Sequence, residues 1–498
     1  MLPVKFLASI PQHAYHSEMV ARNEGAIARQ QQLTLYQLMV AAGQSAFELL
    51  QQQWPACNTV LVVCGRGNNA GDGFVLARLA LQFGMRVYLH SLAALDDYQG
   101  DAKLASQQFI DAGGRIDNID DIDLNGIDVI IDAMLGTGIK GAVRDNFRSL
   151  IELINAHDSP VLSLDLPSGL NANTGQVQGC AIVADITVTF VAMKIGLLTG
   201  KANDYCGQLY LAGLGIAQQF AKQIASKTSI NAPAHLTPLA TRQASAHKGN
   251  SGFVLTIAGN KGMPGAARLA SEAALRAGAG LVAVACHREN QVIITATRPE
   301  LMLADLEVSD GTDHQQKLTK VDAVVLGPGL GSNDWAETKF RQALALNKPM
   351  VVDADGLNLL AEYPQYRDNW VLTPHPGEAA RLLNTSVTMI EADRFSAVKA
   401  IAVKYGGICV LKGAGSLISD GDSVAINITG NAGMAVGGMG DVLAGILGAL
   451  ILQSDNIYTA AKYAVHIHGK AADMAIINGQ KGLLASDLFP FIRQLVNQ

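Results

Sequence analysis

The sequence predicts two α/β units in tandem, each a mainly parallel sheet with helices on both faces, on three observations. A chain of 498 residues, at roughly 150 per domain, holds two large or three ordinary domains. Short β-branched or aliphatic runs alternate twice along it with helix-like stretches, the pattern of successive strand–helix–strand crossovers. Charged residues make up 16% and hydrophobic ones 49%, a balance that suits large buried sheets better than long solvated helices. The 50 glycines add many points where backbone turns sharply or approaches a ligand closely.

Residues 15–53 read as two helices. From about Asn58 the first series runs TVLVVCG, FVLARLALQFG, MRVYLH, DAKLASQQFIDAGG, DVIIDAML, RDNFRSLIELINAH and PVLSLDLP, with ADITVTF and GQLYLAG as further strands. Between Ile216 and Lys248 the pattern dissolves into Gln, Ser, Thr, Ala and Pro, as in a connector. A second series follows: GFVLTIAG, ARLASEAALRAG, GLVAVAC, DAVVLGPG, PMVVDADG, NWVLTP, GICVLKGAG, then helices after Gly440. The expected boundaries are a first domain over 1–216, a linker over 217–240 and a second domain over 241–498.

A net charge of −6 leaves no basic surplus to hold a phosphate backbone, so nucleic acid is excluded as a partner. The six cysteines form no C-x-x-C pair, which argues against a zinc knuckle or disulfide framework and for a reducing compartment. The first residues, MLPVKFLASIPQHAYH, make a poor signal or transit peptide. The longest apolar run, Val442 to Leu452, is 11 residues, short of the roughly 18 that suggest a membrane span. A cytoplasmic protein with no membrane partner is expected.

Between a predicted strand and a predicted helix lies Gly65-Arg66-Gly67-Asn68-Asn69-Ala70-Gly71-Asp72-Gly73. Gly65, Gly67 and Ala70 satisfy G-x-G-x-x-G/A, the Rossmann-like turn that brings helix amides to a pyrophosphate. The ribose-binding acid of a standard dinucleotide domain is missing, since the second strand ends at Leu89 and His90, so a plain dehydrogenase is disfavoured. Alone, the segment reads equally well as a glycine turn with Asp72 capping a helix. Two further strand ends carry polar, glycine-rich loops: Asp132-Ala133-Met134-Leu135-Gly136-Thr137-Gly138-Ile139-Lys140-Gly141 and Asp165-Leu166-Pro167-Ser168-Gly169-Leu170. Such loops converge on one crevice beyond the strand carboxyl ends. There Asn69, Asp132 and Ser168 offer hard oxygen ligands to a cation, and the loop 136–142 offers amides to phosphate.

At these three loops the chain resembles the epimerase domain of the NAD(P)H-hydrate repair enzymes, whose pattern is close to N-N-G-G-D-G, D-A-x-x-G-T-G-x-x-G and D-x-P-S-G. The resemblance covers roughly residues 10–216, and Ala70 stands where glycine is more usual. It implies that Asn68, Asn69, Ala70, Gly71 and Asp72, with Gly136, Thr137, Gly138, Ile139, Lys140, Gly141 and Ala142, contact the hydrated dinucleotide. It also implies potassium on Asn69, Asp132 and Ser168, and Asp165 at the reacting ring. The C6 hydroxyl of the hydrate adjoins the ring nitrogen, whose lone pair helps expel it, and water returns on either face. Asp165 is the expected proton carrier.

In the second unit, Asn431-Ala432-Gly433-Met434-Ala435-Val436-Gly437-Gly438-Met439-Gly440-Asp441 runs straight into an apolar helix. Amides of residues 438–441 and the helix dipole suit a phosphoryl group, and Asp441 suits removal of a proton from an attacking hydroxyl. Asp441 as a mere cap leaves the four glycines before it unexplained. The run resembles the G-x-G-D anion hole of ribokinase-like αβα folds. Thr373-Pro374-His375-Pro376-Gly377-Glu378 looks like the loop that sets a glutamate near metal and phosphate there, and Lys412-Gly413-Ala414-Gly415-Ser416 like a nucleotide loop. With HKGNSG, AGNKGMPGAARLASEAALRAGAGLV, GPGLG and DADGLN, the resemblance extends to the dehydratase domain of the same repair enzymes, over about residues 230–495.

That resemblance implies dehydration of the S hydrates of NADH and NADPH (NADHX, NADPHX) at the expense of ADP, giving AMP and phosphate, where eukaryotic relatives use ATP. Asp441 is the implied catalytic base; Ala266, Gly329 and His375 line the hydrate pocket with it. Lys412, Gly413, Ala414, Gly415, Ser416 and Gly440 hold the adenylate part of the donor. Magnesium is expected, with Glu378 as an organiser around it, and so is a homo-oligomer. One competing reading is a ribokinase-like kinase for a small alcohol with an accessory nucleotide-binding domain. Another makes the first unit a non-catalytic sensing or protein-binding module.

Overall fold

A computed structural model describes residues 5–6, 11–139, 141–236, 238–296, 298–306 and 320–498. The chain divides into two compact units, Leu2–Thr228 and Ser229–Gln498.

The first unit is built on seven strands: β1 (Lys5–Phe6), β2 (Thr59–Cys64), β3 (Arg86–Ser91), β4 (Val129–Ala133), β5 (Val161–Leu164), β6 (Ile186–Phe190) and β7 (Gln208–Ala212). They run parallel in the order β1-β7-β6-β5-β4-β2-β3. Successive side chains of a strand point to opposite faces, so both faces of a continuously apolar strand must be covered. Val60, Val62 and Cys64 join one cluster with Ile27, Phe47, Phe74 and Phe109 of the helices Ser17–Gln30, Leu35–Gln53, Asn68–Gln82 and Gly100–Asp111. Leu61 and Val63 join another with Ile151 and Ile154 of the helix Asp145–Asn155. The result is three αβα layers, as expected. Strand order reverses between β2 and β4, where the chemistry-bearing loops leave the sheet.

Residues 217–240, expected as linker, hold a helix (Ala217–Gln223) and a strand, β8 (Thr228–Asn231). The polar composition concealed two buried anchors. Phe220 packs edge-on against Tyr15 in the first unit, with ring centroids 5.1 Å apart, while Ile230 is buried and β8 joins the second sheet.

That second sheet adds β9 (Phe253–Ile257), β10 (Leu281–Ala285), β11 (Met302–Leu303), β12 (Ala323–Leu326), β13 (Met350–Val352), β14 (Trp370–Leu372), β15 (Ile408–Leu411), β16 (Leu417–Ser419) and β17 (Val424–Asn427). Its order is β11-β10-β9-β12-β13-β14-β15-β16-β17-β8, parallel from β11 through β15 and antiparallel across β15-β16-β17. The second unit is thus a mainly parallel sheet between helix layers, the αβα arrangement expected. The short antiparallel strands β16 and β17 were not legible in advance. The helices Pro264–Arg276, Met439–Leu450, Ile457–Ala475 and Phe489–Leu495 contribute to the main core of this unit. Gly445 lets two of them close tightly: a Cβ there would lie 2.0 Å from the Ala270 carbonyl oxygen.

Order reverses again between β9 and β12. Just past β12, Gly327 has φ +121°, and a Cβ there would fall 1.9 Å from the Asp353 carbonyl oxygen. Both the conformation and the contact forbid a side chain. Gly327→Ala is expected to destabilise the second unit by about 2–4 kcal/mol, read as a lowered denaturant midpoint; an unchanged midpoint would contradict this packing.

Candidate active sites

In the first unit the loops after β2, β4 and β5 line one cavity of about 940 Å³. Asn68, Asn69, Asp72, Gly136, Thr137, Gly138, Ile139, Ala142 and Asp165 all face it. Ala70 is buried in the first turn of the helix Asn68–Gln82, Gly71 packs against Met39, and Gly141 is exposed with φ +76°. Lys140 lies outside the described residues.

Beneath this floor sits a polar knot. The buried Asp132 carboxylate accepts from Ser168 Oγ at 2.5 Å, Ser168 N at 2.8 Å, Ser163 Oγ at 2.9 Å and Met134 N at 3.2 Å. Burial raises its pKa against those hydrogen bonds. Asn69, beside Gly136, has both Oδ1 and Nδ2 buried and, among the described residues, without a partner. An orphaned buried amide oxygen is a donor that fits a hard, oxygen-ligated cation.

Asp165 closes the cavity at the end of β5 with its backbone in the left-handed region, at φ +65°, which is costly for a non-glycine residue. Its amide donates to Val188 O at 2.7 Å. Its Oδ1 accepts from Lys194 Nζ at 2.5 Å and Thr189 Oγ1 at 3.1 Å. Opposite lies Asp72, whose pKa is raised well above the carboxylate range by burial and then by the charges of Asp165 and Glu24. Burial raises Glu24 as well. Lys194 and Glu24 were not foreseen. Lys194 did leave a trace, as the lone cation in the apolar stretch 186–198, where an unpaired lysine is rarely buried; Glu24 left none.

In the second unit the site residues lie at the carboxyl edge in strand order. After β9 and β12, Gly259 N and Asn260 N donate to Pro328 O and Gly329 O, so the loops that carry Ala266 and Gly329 are pinned together. A Cβ on Gly329 would lie 3.1 Å from that of Ala266. Asp353 follows β13 and is buried; Ala354 holds φ +47°, ψ −120°, and Asp355 Oδ2 accepts from Gly331 N at 2.7 Å. After β14, His375 caps the helix Pro376–Leu383, its Nδ1 accepting from Gly377 N at 2.9 Å. Burial and Lys412 lower its pKa, so it is neutral with the proton on Nε2, 3.3 Å from Glu378 Oε1. Glu378 Oε2 accepts from His375 N at 2.7 Å.

Lys412, following β15, is the hub of this edge. Its Nζ lies 2.7 Å from Asp353 Oδ1 and 3.8 Å from Glu378 Oε2. Burial disfavours the ammonium, but these carboxylates outweigh it and raise its pKa. The Arg394 guanidinium lies under Gly413 and donates to the Leu411 and Lys412 carbonyls, fixing the 412–416 loop. A Cβ on Gly440 would meet Lys412 Nζ at 3.3 Å. Gly438 caps the helix Met439–Leu450 at φ +92°, and Asp441 stands in the first turn, half-buried. Burial, then Asp353, push Asp441 up to about 7, with Lys412 opposing and Asp355 adding. Asp353 and Asp355 belong to the sequence motif DADGLN, which carried no assigned role until folding set them beside Lys412 and Asp441.

Behind Lys412, burial lowers both His466 and His468 to about 4. The unfolded chain takes up these protons near pH 6.5, so stability falls as pH drops from 6.5 through about 4 and levels below. Each histidine contributes about 3 kcal/mol to this loss. Urea midpoints at pH 7.5 and 5 test it; equal midpoints would contradict it.

Among the described residues no group of three or more His, Cys, Asp or Glu side chains is arranged to hold a metal. Glu378 is committed to His375 and Lys412, so this edge suits a magnesium ion carried on donor phosphates and water rather than caged by protein. All six cysteines are free, and no described helix is long and apolar enough to cross a membrane.

Fold and side-chain clusters define an α/β enzyme with titratable groups gathered at the carboxyl ends of the strands in each unit. Residues 35–196 match the family of YjeF-related protein N-termini, and residues 254–494 match the NAD(P)H-hydrate dehydratase family. The bifunctional NAD(P)H-hydrate repair enzyme Nnr of Coxiella burnetii is 45% identical over 93% of this chain and 95% of its own length. That of Escherichia coli is 44% identical over 98% and 95%, and that of Vibrio cholerae 41% over 98% and 99%. A solved ADP/ATP-dependent NAD(P)H-hydrate dehydratase from Bacillus subtilis aligns over 52% of this chain and 93% of its own, at 28% identity and a TM-score of 0.45. The chain belongs to the family of bifunctional NAD(P)H-hydrate repair enzymes.

Proposed function

We propose that the first unit interconverts the R and S hydrates of NADH and NADPH, and that the second dehydrates the S hydrate by transient phosphorylation, with ADP as donor. Asp441 carries the reading: a carboxylate poised near neutrality at a glycine-entered helix N-terminus, beside the Lys412–Asp353 pair. Hydroxide is a poor leaving group and phosphate a good one. Asp441 takes the proton of the C6 hydroxyl as its oxygen attacks the donor's terminal phosphorus; amides 438–441 and Lys412 bear the charge that gathers on the phosphoryl oxygens. The ring nitrogen then expels phosphate, a proton leaves C5 to solvent, and the C5–C6 double bond of the reduced cofactor is restored. Ala266, Gly329 and His375 shape the hydrate pocket, while Gly413, Ala414, Gly415, Ser416 and Gly440 hold the adenylate side. Magnesium, when bound, neutralises donor phosphate charge.

In the first unit, Asp165 exchanges a proton with the C6 oxygen, and the loops 68–72 and 136–142 hold the dinucleotide. Asn69, Asp132 and Ser168 would hold potassium, whose charge would offset that of the Asp132 carboxylate. The active protein is a cytoplasmic homo-oligomer. Domains over 1–216 and 241–498 carry the two activities. The alternative of a small-alcohol kinase is not favoured, because near-full-length relatives are named as repair enzymes.

Incubation with mixed hydrates plus ADP or ATP tests this. Dihydronicotinamide absorbance is expected to recover with release of inorganic phosphate, and both epimers are consumed. A stable phosphate ester as product would favour the kinase reading and overturn this one.

A further inference from the structure

Three acids and one buried cation meet in the cavity of the first unit, and their arrangement sorts their roles. Asp165, Asp72 and Glu24 come from three different elements, and Lys194 is the cation. Lys194 is only 3% exposed, and its ammonium spends all three protons: on Asp165 Oδ1 at 2.5 Å, on Phe190 O at 2.8 Å and on Thr189 Oγ1 at 2.9 Å. Its backbone is clamped as well. Tyr15 pairs with it in a parallel bridge, Tyr15 N donating to Met193 O and Ile195 N to Tyr15 O.

One positive charge stabilises one nearby carboxylate; a second and third in the same low-dielectric space repel it and each other. We propose that Lys194 is the positioning residue of the first unit: it pairs with Asp165 rather than with Asp72 or Glu24, fixes Asp165 Oδ1 and so holds Oδ2 toward the hydrate. This rests on the epimerase reading given above. Oδ1 is tied down by Lys194, by Thr189 Oγ1 and, at 3.4 Å, by Phe190 N, whereas Oδ2 has no hydrogen-bond partner among the described residues. The charge of Lys194 lowers both Asp72 and Glu24, but burial outweighs it. Tyr15, a titratable residue of the clamping segment that also carries His13 and His16, is buried with no hydroxyl partner among the described residues, and burial raises its pKa.

The division of labour follows. As water adds to C6, its oxygen forms the C–O bond while one of its protons passes to Asp165 Oδ2; in reverse, that proton returns to the departing hydroxyl. The strained backbone of Asp165 keeps the carboxylate on the Lys194 side of the strand end. Burial holds the Asp72 carboxyl on the facing helix well above its ordinary pKa, which weakens its repulsion of the base and of the substrate phosphates.

The test uses the full chain with Lys194→Met, following R/S interconversion against pH. The expected result is a loss of about 100-fold at pH 7, with the acidic limb of kcat displaced upward by at least about one pH unit, because loss of a neighbouring cation disfavours an anionic base. Lys194→Arg keeps the charge, and its limb should return toward that of the parent even if the rate does not. Should Lys194→Met fail to fold by circular dichroism, Thr189→Val serves. It removes one anchor of the ammonium and should shift the limb in the same direction by a smaller amount. An unmoved limb, whether the rate falls or not, overturns the proposal. If the unaltered protein leaves the hydrates unchanged, the epimerase reading itself has failed.

Discussion

Asp441→Asn is expected to lower dehydratase turnover by about 10³-fold or more while leaving epimerisation within about twofold. Asparagine keeps the volume and hydrogen-bonding shape but cannot accept the hydroxyl proton. Binding of the hydrate and the donor should therefore survive, and the defect should appear in kcat rather than KM. The raised pKa gives the companion pH dependence. Burial and Asp353 hold Asp441 up to about 7, so at pH 6 only about a tenth of it is ionised. Turnover should rise with unit slope up to about pH 7 and level above it. Phosphate release and recovered absorbance, measured on one preparation, read this directly. Joint loss of both activities in a folded variant would sink the assignment, as would a flat profile between pH 5.5 and 7.

The counterpart is Asp165→Asn, which should abolish interconversion of the hydrates, by about 10²–10⁴-fold, and leave dehydration of pure S hydrate intact. Here the substitution carries a structural cost. Asparagine tolerates the left-handed backbone at φ +65° better than most residues, so the loop should hold. It leaves the Lys194 ammonium without its anionic partner, however, and a buried charge without a counter-charge is destabilising. A thermal midpoint lowered by a few degrees is therefore expected together with the lost activity. With a racemised mixture of hydrates, the variant should convert only the S fraction and then stop, a stoichiometric signature that slow catalysis does not mimic. An unchanged epimerisation rate would remove Asp165 from its role.

Much of this architecture is written in local patterns. The strands from TVLVVC to ICVL announce themselves because a strand buried on both faces needs continuous apolar residues, and the glycine loops announce themselves because only glycine follows those backbone paths. Residues 217–240 were misleading for the opposite reason. Phe220 and Ile230 are single apolar residues in polar surroundings, too few to create a period. The strands β16 and β17 are three and four residues long, too short to show an alternation of their own.

By itself, then, the chain determined its two α/β units and the loops that bear Asp165 and Asp441, since periodicity, turn chemistry and motif spacing are properties of neighbours in sequence. Only the tertiary structure decided the electrostatics. Lys194 stands 29 positions from Asp165 and Lys412 stands 59 from Asp353, yet each pair meets within 2.7 Å. Charges act through space in a medium whose screening depends on burial, and neither separation nor burial exists until the sheets have closed.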